Sequence, residues 1–348
     1  MFAEELPYDS FLLVSFGGPE GPDDVMPFLE NVLRGKNVPR ERMLEVSEHY
    51  GHFGGISPIN AQNRDLLAAI KTEFAASGVD LPVYWGNRNW NPYFADTLRQ
   101  MRDNGHKRTL AFFTSMFSCY SGCRQYRENI IEAREAVGTD APYVDKIRMA
   151  FNHPGFIDSM GDNVRQAVAS IDGDGSTPVF FTAHSIPNSM ADNCNYQRQL
   201  MESSRLVAEA AGVTDWRLVF QSRSGPPQQP WLDPDVCDAI ETIDNERKMN
   251  KLVIVPIGFV SDHMEVMFDL DEEAAQTCAE RNIVMARATT ASTHPRFVTM
   301  IRELVQERMG QAKDRPALGT LGPWHDVCPA DCCLYTPTRP AQTMAART

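Results

Sequence analysis

Eight short apolar runs, separated by longer segments with helical periodicity, constrain the fold of this chain more than any other feature. Short strands that alternate with helices are typical of parallel sheets whose strands are joined by crossover helices. We therefore predict an α/β fold with two similar doubly wound, Rossmann-like halves. The predicted strands are 11–16, 83–85, 109–114, 146–150, 178–182, 217–220, 252–255 and 283–286, and helices are predicted over 158–171, 195–211 and 295–309.

The chain has 348 residues, which suits two domains of ordinary size. The strand pattern restarts after the first four runs, so we place one half at 1–148 and the second at 149–311. The remainder, 312–348, is rich in Pro, Gly and Cys, and we expect its end to be disordered. Ligands of such folds bind beyond the carboxyl ends of the strands, which predicts a cleft between the halves.

Charge and hydropathy exclude several classes of function. The net charge of -13 argues against nucleic acid as the main partner. The loop after the first strand, Gly17 to Pro22, lacks the G-x-G-x-x-G spacing of a dinucleotide site. No apolar run is long enough to span a membrane, and residues 1–9 do not resemble a signal peptide. We expect a cytoplasmic monomer without a transmembrane segment.

An acidic stretch, 262–273, follows the seventh predicted strand. Read as an α-helix, it places Glu265, Asp269 and Glu273 one turn apart on one face, where like charges repel by a few tenths of a kcal/mol per pair. The pattern fits a path for cations or protons, and it fits a solvated acidic face equally well. Asp271 and Glu272 fall off this face and are predicted to be solvated charges.

His184 gives the acidic stretch a possible partner. It ends a predicted strand in the same half, and Glu265 lies just past the end of another. A lone histidine is more often structural than catalytic. Paired with a carboxylate, however, it offers a nitrogen and an oxygen donor with open positions. That set suits a transient Fe(II)-like ion better than a structural zinc, which takes four ligands.

Three of the eight cysteines crowd into the tail, as Cys328, Cys332 and Cys333. Cytosolic thiols stay reduced, so this crowding points to metal binding rather than to disulfides. The C-x3-C-C spacing is typical of neither zinc nor an iron–sulfur cluster, and three thiols cannot complete a four-thiolate site. Both metals stay open on spacing alone.

Several sequence blocks, in order from about residue 8 to 310, resemble those of ferrochelatases. Two further blocks, Gly86-Asn-Arg-Asn-Trp90 and Tyr120-Ser-Gly-Cys123-Arg-Gln-Tyr126, resemble the actinobacterial branch, which makes iron coproporphyrin III. The family blocks are Leu12-Leu-Val-Ser-Phe16-Gly-Gly-Pro19, Gly54-Gly-Ile-Ser57-Pro58, Phe181-Thr-Ala-His184-Ser-Ile-Pro187, Gln221-Ser-Arg-Ser-Gly-Pro-Pro227 and Val255-Pro-Ile-Gly-Phe-Val-Ser-Asp-His263-Met-Glu265.

The resemblance implies a chelatase fold and insertion of Fe(II) into coproporphyrin III. His184 would take pyrrole protons or bind iron, and Glu265 would bind iron. Asp269 and Glu273 would continue a path for metal or protons. The implied porphyrin contacts are Phe16, Ser57 and Tyr126.

Two features of the sequence bear on the route of the iron and on the porphyrin. Some relatives carry a metal-coordinating Tyr where this chain has Phe16, so iron entry from the His184 side is favoured. The stretch 43–53 is too polar for the apolar lip of relatives that use protoporphyrin, which favours coproporphyrin.

The resemblance also implies a [2Fe-2S] cluster held by Cys328, Cys332, Cys333 and one internal cysteine. We prefer Cys123 as the fourth ligand, with Cys119 as its rival. Other functions stay open: a protoporphyrin IX ferrochelatase, a cobalt or nickel chelatase for another tetrapyrrole, or a carrier of haem or iron. A downstream enzyme of haem synthesis is a possible protein partner.

Overall fold

The structure is a computed structural model that describes residues 6–35, 38–225 and 228–336. The eight strands form two parallel sheets, ordered β2-β1-β3-β4 and β6-β5-β7-β8. The predicted α/β fold with two doubly wound halves is therefore confirmed. The strands are β1 (Ser10–Ser15), β2 (Val83–Asn87), β3 (Arg108–Phe113), β4 (Tyr143–Lys146), β5 (Val179–His184), β6 (Trp216–Gln221), β7 (Lys251–Val255) and β8 (Val284–Arg287).

The helices lie between and after these strands. Two π-helical segments, Tyr120–Arg124 and Met267–Ala274, run directly into α-helices. The α-helices are α1 (Pro22–Val32), α2 (Arg40–His52), α3 (Ile59–Ala76), α4 (Phe94–Asp103), α5 (Gln125–Val137), α6 (Pro154–Ser170), α7 (Asn188–Ala191), α8 (Tyr196–Ala211), α9 (Val236–Glu246), α10 (Met264–Val266), α11 (Ala275–Glu280) and α12 (Pro295–Arg308).

The fourth strand differs from its prediction. It covers Tyr143–Lys146 and pairs with β3 alone, so it is an edge strand, whereas the predicted run was 146–150. The apolar residues that follow, such as Ile147 and Phe151, are buried outside the sheet. Their burial comes from the connection into the second half, and an apolar run alone does not distinguish a buried connection from a strand.

The two halves share one continuous core. Phe112 of β3 makes an edge contact with Phe297 of α12, with ring centroids 6.0 Å apart. On the cleft side, the backbone N–H of Asp262 donates to Oε1 of Gln62 at 2.8 Å. These contacts join the loop after β7 to the first half and fix the site between them. The predicted boundaries at 148 and 311 stay a prediction, and the expected disorder of the tail end falls outside the described residues.

In the described part of the chain, no helix has the length and hydropathy needed to cross a bilayer.

Candidate active site

His184 is the last residue of β5, and its ring is oriented by the backbone beside it. Nδ1 lies 2.5 Å from the carbonyl oxygen of Ser185, which can only accept, so Nδ1 carries a proton. The hydroxyl of Tyr196 donates to the His184 carbonyl at 3.0 Å and holds this strand end. In the neutral imidazole the lone pair then lies on Nε2, which can accept a proton or bind a metal ion.

Glu265 faces this lone pair from the start of α10. Its Oε2 lies 3.7 Å from Nε2 of His184 and 3.9 Å from Nδ1 of His263. The Glu265 side chain is 54% exposed, so an entering cation can reach it. Burial lowers the pKa of His263, which favours a neutral ring with a second nitrogen lone pair. The imidazoles of His184 and His263 therefore lie on either side of the Glu265 carboxylate. His263 was not among the predicted site residues.

The acidic stretch is not the regular α-helix that its spacing suggested. Only Met264–Val266 is α-helical before the chain enters the π-helix Met267–Ala274. A π-helix has a wider turn, with i→i+5 hydrogen bonds, and such segments occur frequently at functional sites. A spacing of four residues still returns close to the same face, so Glu265, Asp269 and Glu273 stay on one side.

Asp269 is the most perturbed carboxylate of this line. It accepts hydrogen bonds from Nε2 of Gln221, at 3.2 Å, and from the hydroxyl of Ser222. The same Gln221 amide lies 3.4 Å from the Glu265 carbonyl oxygen, so the end of β6 connects the two acidic residues. Burial raises the pKa of Asp269 to about 7, and the carboxylates of Glu265 and Glu273 add to the rise. Asp269 can therefore exchange protons near neutral pH.

Glu273 continues the line towards α9. Burial raises the pKa of Glu273, and the neighbouring carboxylates of Asp235 and Glu272 raise it further.

Asp271 and Glu272, which lie beside this line, were predicted to be only solvated charges, and both have a partner in the structure. Asp271 pairs with Nε of Arg287 at 2.6 Å, and Glu272 lies 3.1 Å from Nδ1 of His52. Asp271 therefore has an ionic partner, and Glu272 has an imidazole within hydrogen-bonding distance.

The raised pKa of Asp269 predicts a pH-dependent stability. Between the unfolded value of 3.8 and the folded value of about 7, the folded state binds the extra proton, so stability falls as pH rises. We expect Asp269→Asn to remove this loss, at most about 1.4 kcal/mol for each pH unit in that window. Urea unfolding of both proteins at pH 5 and pH 8 measures it. An equal difference between the two proteins at both pH values would contradict the assignment.

Phe16 and Tyr126 are brought together by an arginine that the sequence analysis did not single out. The guanidinium carbon of Arg88 lies 5.9 Å from the Phe16 ring centroid and 5.6 Å from that of Tyr126. Burial lowers the pKa of Arg88, and no ion pair joins it to a carboxylate of the described residues. A largely buried cation without a directly paired carboxylate is costly, which marks Arg88 as a binding group for an anion.

Ser57 lies beneath the first loop rather than beside Arg88. Its side chain is buried, and its N–H donates to the Pro19 carbonyl at 2.9 Å. A Cβ added at Gly18 would lie 2.7 Å from the Ser57 Cβ, so loop and serine pack closely. Ser57 thus supports the loop that follows Phe16.

The four predicted cluster cysteines form one chain of contacts. The Sγ atoms of Cys332 and Cys333 lie 3.5 Å apart, those of Cys328 and Cys332 lie within 4.8 Å of each other, and Cys123 interacts electrostatically with Cys328 and Cys333. The interaction of Cys123 with Cys333 lowers the pKa of Cys123 and raises that of Cys333, which favours a thiolate at Cys123. Nη1 of Arg124 donates to the Cys332 carbonyl at 2.8 Å and holds the tail against α5.

Cys119, the rival ligand, has a different role. Its sulfur accepts from the Gly122 N–H at 3.1 Å and lies 3.4 Å from the Ser121 hydroxyl, so it caps the π-helical turn. Burial raises the pKa of Cys119 to about 12, which disfavours the thiolate that a metal needs.

The donor set fits a two-iron centre. The four thiols of Cys123, Cys328, Cys332 and Cys333 lie in one group, and a [2Fe-2S] cluster takes four cysteines in all. His325, which the sequence analysis missed, has its donor atom within 4.8 Å of those of Cys328 and Cys332. This trio also resembles part of a zinc site, so zinc remains the competing metal.

The fold is shared with metal chelatases. SirB from Bacillus subtilis with Fe3+ superposes with a TM-score of 0.54 at 13% identity, covering 87% of this chain and 98% of SirB. CbiX, described as the terminal enzyme of sirohaem biosynthesis in denitrifying bacteria, gives 0.51 at 13% identity, with coverage of 86% and 98%. With a histidine and a carboxylate at adjoining strand ends, the molecule has the form of a metal chelatase.

The sequence comparisons give the family. The family model for ferrochelatase matches residues 8–309. A ferrochelatase of Rhodopirellula baltica is 72% identical over 335 residues, covering 96% of this chain and 95% of the relative. A coproporphyrin III ferrochelatase of Streptomyces griseus is 49% identical over 359 residues, with 96% of each chain covered.

This chain belongs to the ferrochelatase family, and the predicted resemblance to actinobacterial members is confirmed. Its reaction is the insertion of metal into a porphyrin in haem biosynthesis.

Proposed function

We propose that this enzyme inserts Fe(II) into coproporphyrin III. The observation that carries the substrate assignment is Arg88, a largely buried guanidinium without a carboxylate partner beside Phe16 and Tyr126. The propionates of a porphyrin supply the missing counter-charge, and coproporphyrin III has four of them where protoporphyrin IX has two. Two relatives 49% identical to this chain are named coproporphyrin III ferrochelatases. The polar helix α2 offers little apolar surface for a membrane-bound porphyrin.

The chemistry requires a base and a metal ligand in one pocket. A porphyrin loses two N–H protons as it gains Fe(II), and the metal must stay within reach while the protons leave. In our proposal Nε2 of His184 accepts the two pyrrole protons one after the other, and it releases the first to the line of carboxylates before it takes the second. The Glu265 carboxylate meanwhile holds the iron and neutralises its charge. The distance of 3.7 Å between these two atoms lets them serve one porphyrin centre.

The protons released from the porphyrin must then leave the pocket. Asp269, with a pKa raised to about 7, both accepts and releases protons at neutral pH, and Gln221 ties it to Glu265. Glu273 extends the same line of carboxylates away from the site. We propose this line as the conduit for protons and hydrated iron. Phe16 offers no metal ligand on the other side of the pocket, which favours iron entry from the His184 side.

Arg88 tests the substrate assignment. We expect Arg88→Met to raise KM for coproporphyrin III by about 10- to 100-fold, because a charged hydrogen bond to a propionate contributes about 1.5–3 kcal/mol. The expected effect on protoporphyrin IX is smaller. Arg64→Met is the matched control, since Arg64 also lies over an aromatic ring, that of Trp85, but is exposed and paired with Glu20. Equal losses with both porphyrins would contradict a propionate contact.

We further propose that Cys123, Cys328, Cys332 and Cys333 hold a [2Fe-2S] cluster. The cluster supplies a one-electron centre when it is bound. Arg124 and Arg127 position the ligands, because they donate to the carbonyls of Ala330 and Pro329 and so tie the tail to the helix that follows Cys123.

The visible spectrum tests this site. We expect the anaerobically purified enzyme to be reddish, and Cys123→Ser to lose the visible absorption together with the iron and sulfide. Cys119→Ser is the matched control and should keep both, because its sulfur is engaged by Gly122. A colourless enzyme, or loss of colour in Cys119→Ser alone, would refute the proposed ligand set.

The substrates are the partners that this proposal requires. A cytoplasmic location, a monomeric state and contact with a downstream enzyme of haem synthesis remain predictions from the sequence.

A further inference from the structure

Two buried nitrogen atoms beside the tail thiols have no hydrogen-bond acceptor. Nζ of Lys146, the last residue of β4, and Nε2 of His325 are both shielded from solvent and unpartnered among the described residues. Buried polar atoms are nearly always satisfied, so an orphaned donor indicates an acceptor that the polypeptide itself does not supply. Nζ of Lys146 is such a donor, and Nε2 of His325 is one in the tautomer that carries the proton on this nitrogen.

Both donors lie around the four thiols. One ring nitrogen of His325 lies within 4.8 Å of the sulfurs of Cys328 and Cys332. Lys146 lies close enough to Cys123 and Cys328 for its charge to act on both thiols. Lys146 and these cysteines line one cavity of about 180 Å³.

Among the described residues, no carboxylate that lines this cavity is free to pair with Lys146. The lining carboxylates are engaged elsewhere: Asp145 accepts from Nε of Arg108 at 2.8 Å, and Asp326 from Arg315 at 3.0 Å. Burial of an unpaired ammonium is strongly unfavourable, and this chain carries a net charge of -13, so acidic partners are plentiful elsewhere. The retained cation points to an anionic occupant.

We propose that Lys146 and His325 donate hydrogen bonds to the sulfur atoms of the iron–sulfur centre and thereby set its reduction potential. The inference rests on the proposed cluster. Reduction adds one electron and makes the centre more negative, so a buried cation and N–H donors stabilise the reduced state. Hydrogen bonds to sulfur and net charge are two of the means by which proteins tune these potentials.

The test is an EPR-monitored redox titration of the full-length holoenzyme, with iron and sulfide analysis. The ratio of oxidised to reduced centre is measured at the potential where the wild-type centre is half reduced. We expect this ratio to rise at least tenfold in Lys146→Met and in His325→Phe. That is a fall of about 59 mV in the midpoint of a one-electron couple. Lys146→Arg should restore most of the wild-type potential.

Arg134→Met is the matched control. Arg134 lines the same cavity, but its guanidinium donates to the Pro142 carbonyl at 2.8 Å and lies over the Tyr143 ring. We expect less than a twofold change in the ratio for this variant. A shift as large as that of Lys146→Met would mean that charge acts without a hydrogen bond, and would overturn the proposal.

The remaining outcomes separate this inference from the cluster itself. Fully loaded variants with unchanged potentials would overturn the inference and leave the cluster in place. Loss of the cluster from His325→Phe alone would make His325 a ligand, which also contradicts a hydrogen-bonding role. A wild-type enzyme without iron and sulfide would overturn both the proposed cofactor and the inference that rests on it.

Discussion

His184→Ala is expected to lower kcat for iron insertion by about 10²- to 10⁴-fold, the range that a positioned general base contributes. The reason is geometric: Nδ1 is committed to the Ser185 carbonyl, so Nε2 holds the lone pair that faces Glu265 at 3.7 Å. Porphyrin affinity should change little, because the ring and propionate contacts lie elsewhere. Anaerobic initial rates measure kcat. Quenching of porphyrin fluorescence on binding to the enzyme measures the affinity.

His106→Gln is the control for this variant. His106 hydrogen-bonds to the Tyr84 hydroxyl at 2.9 Å and lies just before β3, at the end of the sheet away from the cleft. The His106→Gln variant should retain the wild-type rate of iron insertion. A loss of less than threefold in His184→Ala would be incompatible with its role as base or iron ligand, and would favour a protein that binds porphyrin without turnover.

Glu265→Gln is expected to lower kcat/KM for Fe(II) by about 10²-fold, because the amide neither neutralises the metal nor accepts a proton. Glutamine keeps the size of the side chain, so the loss measures charge rather than packing. Since Glu265 is 54% exposed, the fold should be unaffected, and thermal unfolding verifies this.

Glu272→Gln provides the comparison within the same helix. Its carboxylate points to His52 on α2 instead of to His184, so we expect a change below threefold. If the two variants lost activity equally, the acidic stretch would act as a general electrostatic attractor for iron. A specific ligand at Glu265 would then be excluded.

The architecture was predictable because short runs of apolar residues mark the buried strands of parallel sheets. Seven of the eight strands lie where the apolar runs predicted them, and β4 was displaced. That strand lies at a sheet edge with an exposed Tyr143, so it lacks the apolar run that marks a buried strand. The connection beyond it, which is buried, carries the apolar residues instead. An apolar run therefore identifies a buried segment directly and a strand only indirectly.

The site was partly predictable for a related reason. The topology of a parallel sheet brings strand ends together, which is why His184 and Glu265 could be paired before their distance was known. Arg88 and His325 escaped because their significance lies in missing partners, and His263 escaped because its significance lies in its position beside Glu265. A buried guanidinium without a carboxylate, or a buried imidazole without an acceptor, is recognised only when every neighbour has been located. A spacing in the sequence carries no such information.

The π-helix was also beyond prediction from spacing. A spacing of four residues between carboxylates is compatible with an α-helix and with the wider turn that the chain adopts over Met267–Ala274. The local choice depends on contacts from other elements, such as the hydrogen bonds from Gln221 and Ser222 to Asp269. His49 on α2 stacks on Phe268 at 3.9 Å from the other side.

The central claim is that this enzyme metallates coproporphyrin III with Fe(II). Its most direct test is kcat/KM for Fe(II) insertion into coproporphyrin III and into protoporphyrin IX, measured anaerobically with the wild-type enzyme under identical conditions. The account predicts turnover with both, with coproporphyrin III preferred by at least about tenfold, equivalent to one propionate contact of about 1.4 kcal/mol. Faster turnover of protoporphyrin IX, or binding of coproporphyrin III without metal insertion, would contradict it.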